Sequence, residues 1–142
     1  MAREGWMEFD CSAYSSRISE IVRLFGQIGW RVSEDGAEYY PLHDDGDPDW
    51  QQTKMPEDTL FALIDEKQRA DEHIGVILYH ASGSGIMLTA DNPKEICLGL
   101  DIDRKTTASG FTDFSWYLET IAAPLEKAGC ILQLIRCEDL IG

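Results

Sequence analysis

Residues 74–102 read IGVILYHASGSGIMLTADNPKEICLGLDI. Three apolar runs, Ile74 to Ala81, Gly85 to Ala90 and Glu95 to Ile102, are separated by Ser82-Gly83-Ser84 and by Asp91-Asn92-Pro93-Lys94, residue types that favour turns. Links this short join antiparallel neighbours, because a parallel crossover needs about a dozen residues or more. The stretch therefore predicts an antiparallel three-strand meander. Turning at Gly83-Ser84 and again at 91–94 gives the expected cross-strand groups His80–Met87–Leu98 and Tyr79–Leu88–Cys97, projecting from opposite faces.

Working outward, Tyr14, Ile18, Ile21, Val22, Phe25 and Ile28 recur at helical steps, predicting an amphipathic helix from Ala13 to Ile28 with Ser12 as its cap and Gly29 as its left-handed stop. Trp30 to Ser33 and Ala37 to Tyr40 flank Asp35-Gly36 and are expected to form a short hairpin. Pro41 to Met55 reads as a loop, and Pro56 opens a second helix running to about Ala70. Phe114, Tyr117, Leu118, Ile121, Leu125 and Ala128 mark a third helix that ends at Gly129, with Pro124 interrupting its last turns. Cys130 to Cys137 is β-like. The expected order is α-β-β-α-β-β-β-α-β. That order favours an α+β fold with a mainly antiparallel sheet and about three helices, mostly on one sheet face, over a doubly wound parallel fold.

The chain has 142 residues, 44 % of them hydrophobic, which suits a single compact domain spanning 1–142 whose core needs neither disulfide nor metal. Acidic residues number 26 against 12 Lys and Arg, a net charge of −14, so the molecular field repels phosphate backbones and anionic membranes. Nucleic acid and membrane are thus set aside as partners. Glu4, Glu8 and Asp10 stand where an export signal needs a basic end and an apolar stretch, so a cytoplasmic location is expected. Cys11, Cys97, Cys130 and Cys137 show no C-x-x-C spacing and read as reduced thiols.

No pattern of catalytic or metal-binding residues emerges. On the expected register His80 and Cys97 face opposite ways and cannot form a base–nucleophile pair. Asp101 and Asp103, two apart at a strand end, can point one way and hold a divalent ion, but a solvated strand exit explains the same residues and is the favoured reading. In the run Asp44-Asp45-Gly46-Asp47-Pro48-Asp49, placing Gly46 at the sixth position of a calcium loop puts Pro41 first and Gln52 twelfth, where carboxylates are required. His43, His73 and His80 lack zinc-ligand spacing. No cofactor is implied.

One stretch departs from the rest. Between Val32 and Thr53 the acids Glu34, Asp35, Glu38, Asp44, Asp45, Asp47 and Asp49 occur with no Lys or Arg, interleaved with Tyr39, Tyr40 and Trp50. Carboxylates that steer and rings that supply contact area are what a protein presents to a basic partner. A solvated acidic loop whose rings pack on the core explains the same residues.

A small acidic α+β domain with no catalytic signature, closing on the helix Thr112-Asp113-Phe114-Ser115-Trp116-Tyr117-Leu118-Glu119 and a last strand, resembles the bacterial immunity proteins that neutralise polymorphic toxins, including those of contact-dependent growth inhibition systems. The likeness is one of type over the whole length and carries no functional residue across. It implies a non-enzymatic inhibitor that binds a cognate, basic toxin domain such as a nuclease. Two other classes stay open: a small hydrolase or transferase using Asp101, Asp103 and a pocket histidine, and a regulatory interaction module.

Overall fold

The structure, a computed structural model, describes residues 2–43 and 49–141. Its strands are β1 (Arg3–Phe9), β2 (Ala37–Tyr39), β3 (Gln51–Thr53), β4 (Ile74–Tyr79), β5 (Gly85–Ala90), β6 (Ile96–Ile102) and β7 (Ile135–Ile141). They form one seven-stranded sheet in the order β3-β2-β4-β5-β6-β1-β7, every pairing antiparallel. Helices α1 (Ile18–Gln27) and α2 (Glu57–Arg69) are joined by a third helical run over 114–127, here α3. The α+β class with a mainly antiparallel sheet is as the sequence predicts.

Alternation builds the core. Met7 and Phe9, then Ile74, Val76 and Leu78, then Ile86 and Leu88, then Ile96, Leu98 and Leu100 point to one face, where they join Ile18, Ile21 and Phe25 of α1, Leu60 and Ile64 of α2, and Tyr117, Ile121 and Leu125 of α3 in one apolar cluster. Each such side chain contributes about 1.5–3 kcal/mol by leaving water.

Pro124 shapes α3. Having no N–H, it leaves the carbonyl of Thr120 without its helical donor. The buried indole of Trp30 donates to that oxygen instead, at 3.2 Å, and the chain widens into a π-helical turn over Leu118–Ala122 between the α-helical ends Phe114–Tyr117 and Ala123–Lys127.

Several expectations are corrected. The N-terminal strand β1 was not foreseen, yet it lies between β6 and β7 and carries the sheet to its far edge. Helix α1 starts five residues later than expected, at Ile18, because Ser12 is drawn into a turn on Asp10, whose Oδ1 accepts from Ser12 N at 2.9 Å and from Ser12 Oγ at 2.6 Å. The Ile18 N–H is capped from α2 by Gln68 Oε1 at 2.9 Å. Gly29 has the expected positive φ, 104°.

The Trp30–Tyr40 hairpin does not form. Gly36 alone of Asp35-Gly36 has positive φ, where a type I′ turn needs two such residues. Arg31 makes only an isolated bridge to Tyr79, and β2 pairs instead with β4 and with β3, which lies inside the stretch expected to be loop. The meander is present with a shifted register: Tyr79 faces Gly85, Ile77 faces Met87 and Gly99 follows, while Gly75, Thr89 and Cys97 align. The first connection is longer than two residues, closed by His80 N–H to Ser84 O at 2.9 Å and Gly83 N–H to His80 O at 3.0 Å. The last strand begins at Ile135, past the expected Cys130.

Candidate functional site

Among the described residues, the helices of the core cluster pack on the first face of the sheet and leave the second face without one. Its residues are fixed by register. One row runs Gly75, Thr89, Cys97, Glu8, Arg136, and the next Glu38, Ile77, Met87, Gly99, Trp6, Glu138. The floor is low where Gly99 and Thr89 stand in place of large side chains. A groove of ≈ 550 Å³ follows, floored by Met87, Thr89, Cys97 and Gly99.

Aromatic rings wall it on both sides. Tyr40 and Trp50 stand together on one, their ring centroids 4.2 Å apart, and Trp6 with Leu140 on the other. Tyr40 is held by its N–H to Gly75 O at 2.9 Å, and its ring covers Gly75, where any Cβ would collide with Cδ2, Cε2 and Cγ. The next turn is tied down by the buried Lys67 of α2, whose Nζ donates to Pro41 O at 2.7 Å and Glu72 Oε1 at 3.0 Å. Lys67 in turn holds the Glu72 carboxyl below its ordinary range.

The rim is acidic. Glu4, Glu8, Glu38, Asp101 and Glu138 lie on this face by strand parity. The cation among these rows, Arg136, is bound to Glu8 at 2.9 Å. Tyr79 donates its hydroxyl to Glu38 at 2.7 Å; burial first, and then that carboxylate, push the phenol up to about 12.

Burial and then the charge of Glu8 push the thiol of Cys97 on the floor up, its Sγ 3.8 Å from Glu8 Oε1. His80 is on the other side of the sheet, its ring centroid 4.9 Å from Trp30 and 5.4 Å from Trp116, with Nδ1 2.9 Å from Ser82 Oγ. The two therefore lie apart, as expected, though not through the register expected. Asp101 Oδ1 accepts the Gly5 N–H at 3.1 Å, while Asp103 sits beyond the strand at φ 46°, its carbonyl accepting from Ser84 Oγ at 2.6 Å. Among the described residues no three or more His, Cys, Asp or Glu gather where they could hold a metal ion.

Of the residues singled out in the sequence, Tyr40, Trp50, Cys97 and Asp101 line the groove, and Glu38 lies on the same face with its carboxylate on the Tyr79 hydroxyl. Asp49 is exposed next to Trp50. Glu34 and Asp35 are exposed in the turn before β2, beside a shallow hollow shared with Arg31 and Tyr79. Tyr39 is corrected: it is buried against the core, its hydroxyl on Thr53 Oγ1 at 3.1 Å, because it falls on the opposite parity from Glu38 and Tyr40. Asp44, Asp45 and Asp47 lie outside the described residues. Trp6, Glu4 and Glu8 were missed. The signal for them was the alternation Glu4-Gly5-Trp6-Met7-Glu8-Phe9, a half-buried strand pattern.

No family model, curated protein or solved structure matches the chain significantly.

Proposed function

We propose that this chain is a non-catalytic binding protein whose open sheet face captures a basic protein domain, the role of an immunity protein against a cytoplasmic toxin domain such as a nuclease. The observation that carries the reading is the groove between Trp6 and the Tyr40–Trp50 pair, with five carboxylates on the same face and their neighbouring cation already bound to Glu8. Rings at the centre of an interface supply the desolvated contacts that dominate affinity, and rim charges steer the approach. Within the acidic segment 32–53, Tyr40 and Trp50 are the residues that line the groove.

Cytoplasmic residence belongs to this proposal; no helix among the described residues is long and apolar enough to cross a membrane. Catalysis by the floor thiol is disfavoured by its raised pKa and by its separation from His80.

The test is equilibrium binding of the purified chain to basic nuclease toxin domains, including the one encoded beside its gene, at low and high salt. A cognate domain should bind with an affinity that falls as salt rises, and Trp6→Ala or Trp50→Ala should each weaken it by about tenfold or more. Failure of every basic domain to bind, or binding indifferent to both substitutions, would overturn the proposal.

A further inference from the structure

We propose that β7 is a self-pairing edge through which two copies of this chain join into one continuous antiparallel sheet. The two sheet edges are unlike. The β3 edge is three polar residues, Gln51–Thr53, too short and too hydrophilic to attract a partner. At the other edge β7 runs seven residues, Ile135–Ile141, with Ile135 42 %, Leu140 44 % and Ile141 54 % exposed, and Leu134 just before it is exposed too. A long edge with apolar side chains and unpaired backbone groups is a template for another strand.

Charge selects the occupant and the register. Pairing about a two-fold axis at Glu138 would set Glu138 against its own copy, an unfavourable like-charge contact. Pairing about Cys137 instead sets Arg136 opposite the second copy's Glu138, twice by symmetry, and Leu134 opposite the second copy's Leu140. Arg136, Glu138 and Leu140 share the open face, so an ion-pair row and an apolar row form side by side there. On the opposite face the two Cys137 side chains meet directly, with Cα atoms about 4.5–5.5 Å apart, inside the range a disulfide spans. Because the axis stands perpendicular to the sheet, both grooves then open on the same side.

Two molecules of charge −14 repel at long range. Self-pairing therefore strengthens with salt, as the screening length shrinks from about 10 Å at 0.1 M to about 3 Å at 1 M. Capture of a basic partner has the opposite dependence, so this inference stands or falls separately from the proposed function.

The experiment is sedimentation of the full chain from micromolar to near-millimolar concentration at both salt levels, with cross-linking by glutathione disulfide. In that step two Cys137 thiols give up two electrons and two protons to one glutathione disulfide, leaving an intermolecular disulfide and two glutathione thiols. A dimer favoured by salt, weakened about tenfold in Glu138→Lys, and cross-linked in the parent but not in Cys137→Ser is the expected result. Thermal unfolding of each variant confirms that it folds, and Leu134→Lys provides a second disruption of the same register. A monomer under all conditions, or a dimer indifferent to Glu138→Lys and Leu134→Lys with no Cys137 cross-link, overturns the proposal.

Discussion

The ring of Tyr40 occupies the space that a side chain at residue 75 would need, so Gly75 is what permits the groove's outer wall to stand where it does. Tyr40 N–H is bonded to Gly75 O at 2.9 Å, which fixes the backbone on one side, and the Trp50 ring 4.2 Å away fixes the ring on the other. Gly75→Ala forces a methyl group into that contact. Overpacking of this kind costs about 1–3 kcal/mol, and the displaced Tyr40 should carry Trp50 with it. The variant should unfold at lower urea and show altered tryptophan fluorescence. Combining it with Tyr40→Ala should recover part of the stability, since the two changes act on one contact. Unchanged stability and fluorescence in Gly75→Ala would show that the wall is not held this way.

Tyr117 is fully buried in α3, with its hydroxyl accepting the Lys105 N–H at 3.0 Å and facing Leu100 O at 3.4 Å. The ring fills the core while the hydroxyl closes the backbone that leaves β6. Tyr117→Ala should cost about 3–5 kcal/mol, enough to unfold much of a marginally stable population. Tyr117→Phe keeps the ring but strips the Lys105 N–H of its acceptor and should cost about 1–3 kcal/mol. Urea midpoints rank the two. Equal stability of the alanine variant and the parent would remove Tyr117 from the core's support.

These elements differ in how far the sequence announces them. The meander is legible because turn-forming residues bracket apolar runs, and Tyr117 because it falls on a helical stripe. The register is not, since Ser82-Gly83-Ser84 permits more than one closure and only the His80–Ser84 bonding decides between them. Gln51–Thr53 carries no β signal in its side chains; it is a strand because Ala37–Tyr39 offers it an edge. Trp6 carries an alternation signal, but its partners, Gly99 and Glu138, lie far along the chain, so local reading cannot place it at the groove. Tyr39 and Tyr40 look equivalent in sequence, and the parity set by the pairing of Glu38 with Ile77 sends one to the core and the other to the groove.

Acid should loosen the β1–β7 border at Asp139. Its carboxylate accepts the Thr112 N–H at 2.6 Å and binds Arg3 at 2.6 Å; the Thr112 bond above all, with Arg3 helping, outweighs burial and holds the carboxyl at about 2 against an ordinary 3.8. A carboxyl with a lower pKa folded than unfolded stabilises the fold at pH values above its unfolded pKa. That contribution is therefore complete above pH 3.8 and declines as pH falls towards 2. Melting temperatures of parent and Asp139→Asn across this window should converge as pH drops, the variant being less stable at neutral pH and less sensitive to acid. Parallel curves throughout would show that Asp139 titrates alike folded and unfolded.

The segment acids and the groove rings should leave different marks on the kinetics of capture. Charges act at a distance, before contact, so changing Asp44, Asp45, Asp47 and Asp49 together to Asn should lower the association rate and flatten its dependence on salt, with little effect on dissociation. Rings act after contact, once water has been expelled, so Trp6→Ala and Trp50→Ala should instead speed dissociation, by about tenfold or more where the ring is an anchor. The two tryptophans stand on opposite walls of one groove. A ligand that fills the groove must touch both, and their single substitutions should then both register. Stopped-flow binding against the cognate basic domain, with circular dichroism confirming the fold of each variant, separates the contributions. If the four-fold Asn variant associates as fast as the parent and protects equally well, the acidic segment is solvated surface. If Trp6→Ala dissociates like the parent while Trp50→Ala does not, the partner rests on the Tyr40–Trp50 wall alone and the groove is left unfilled.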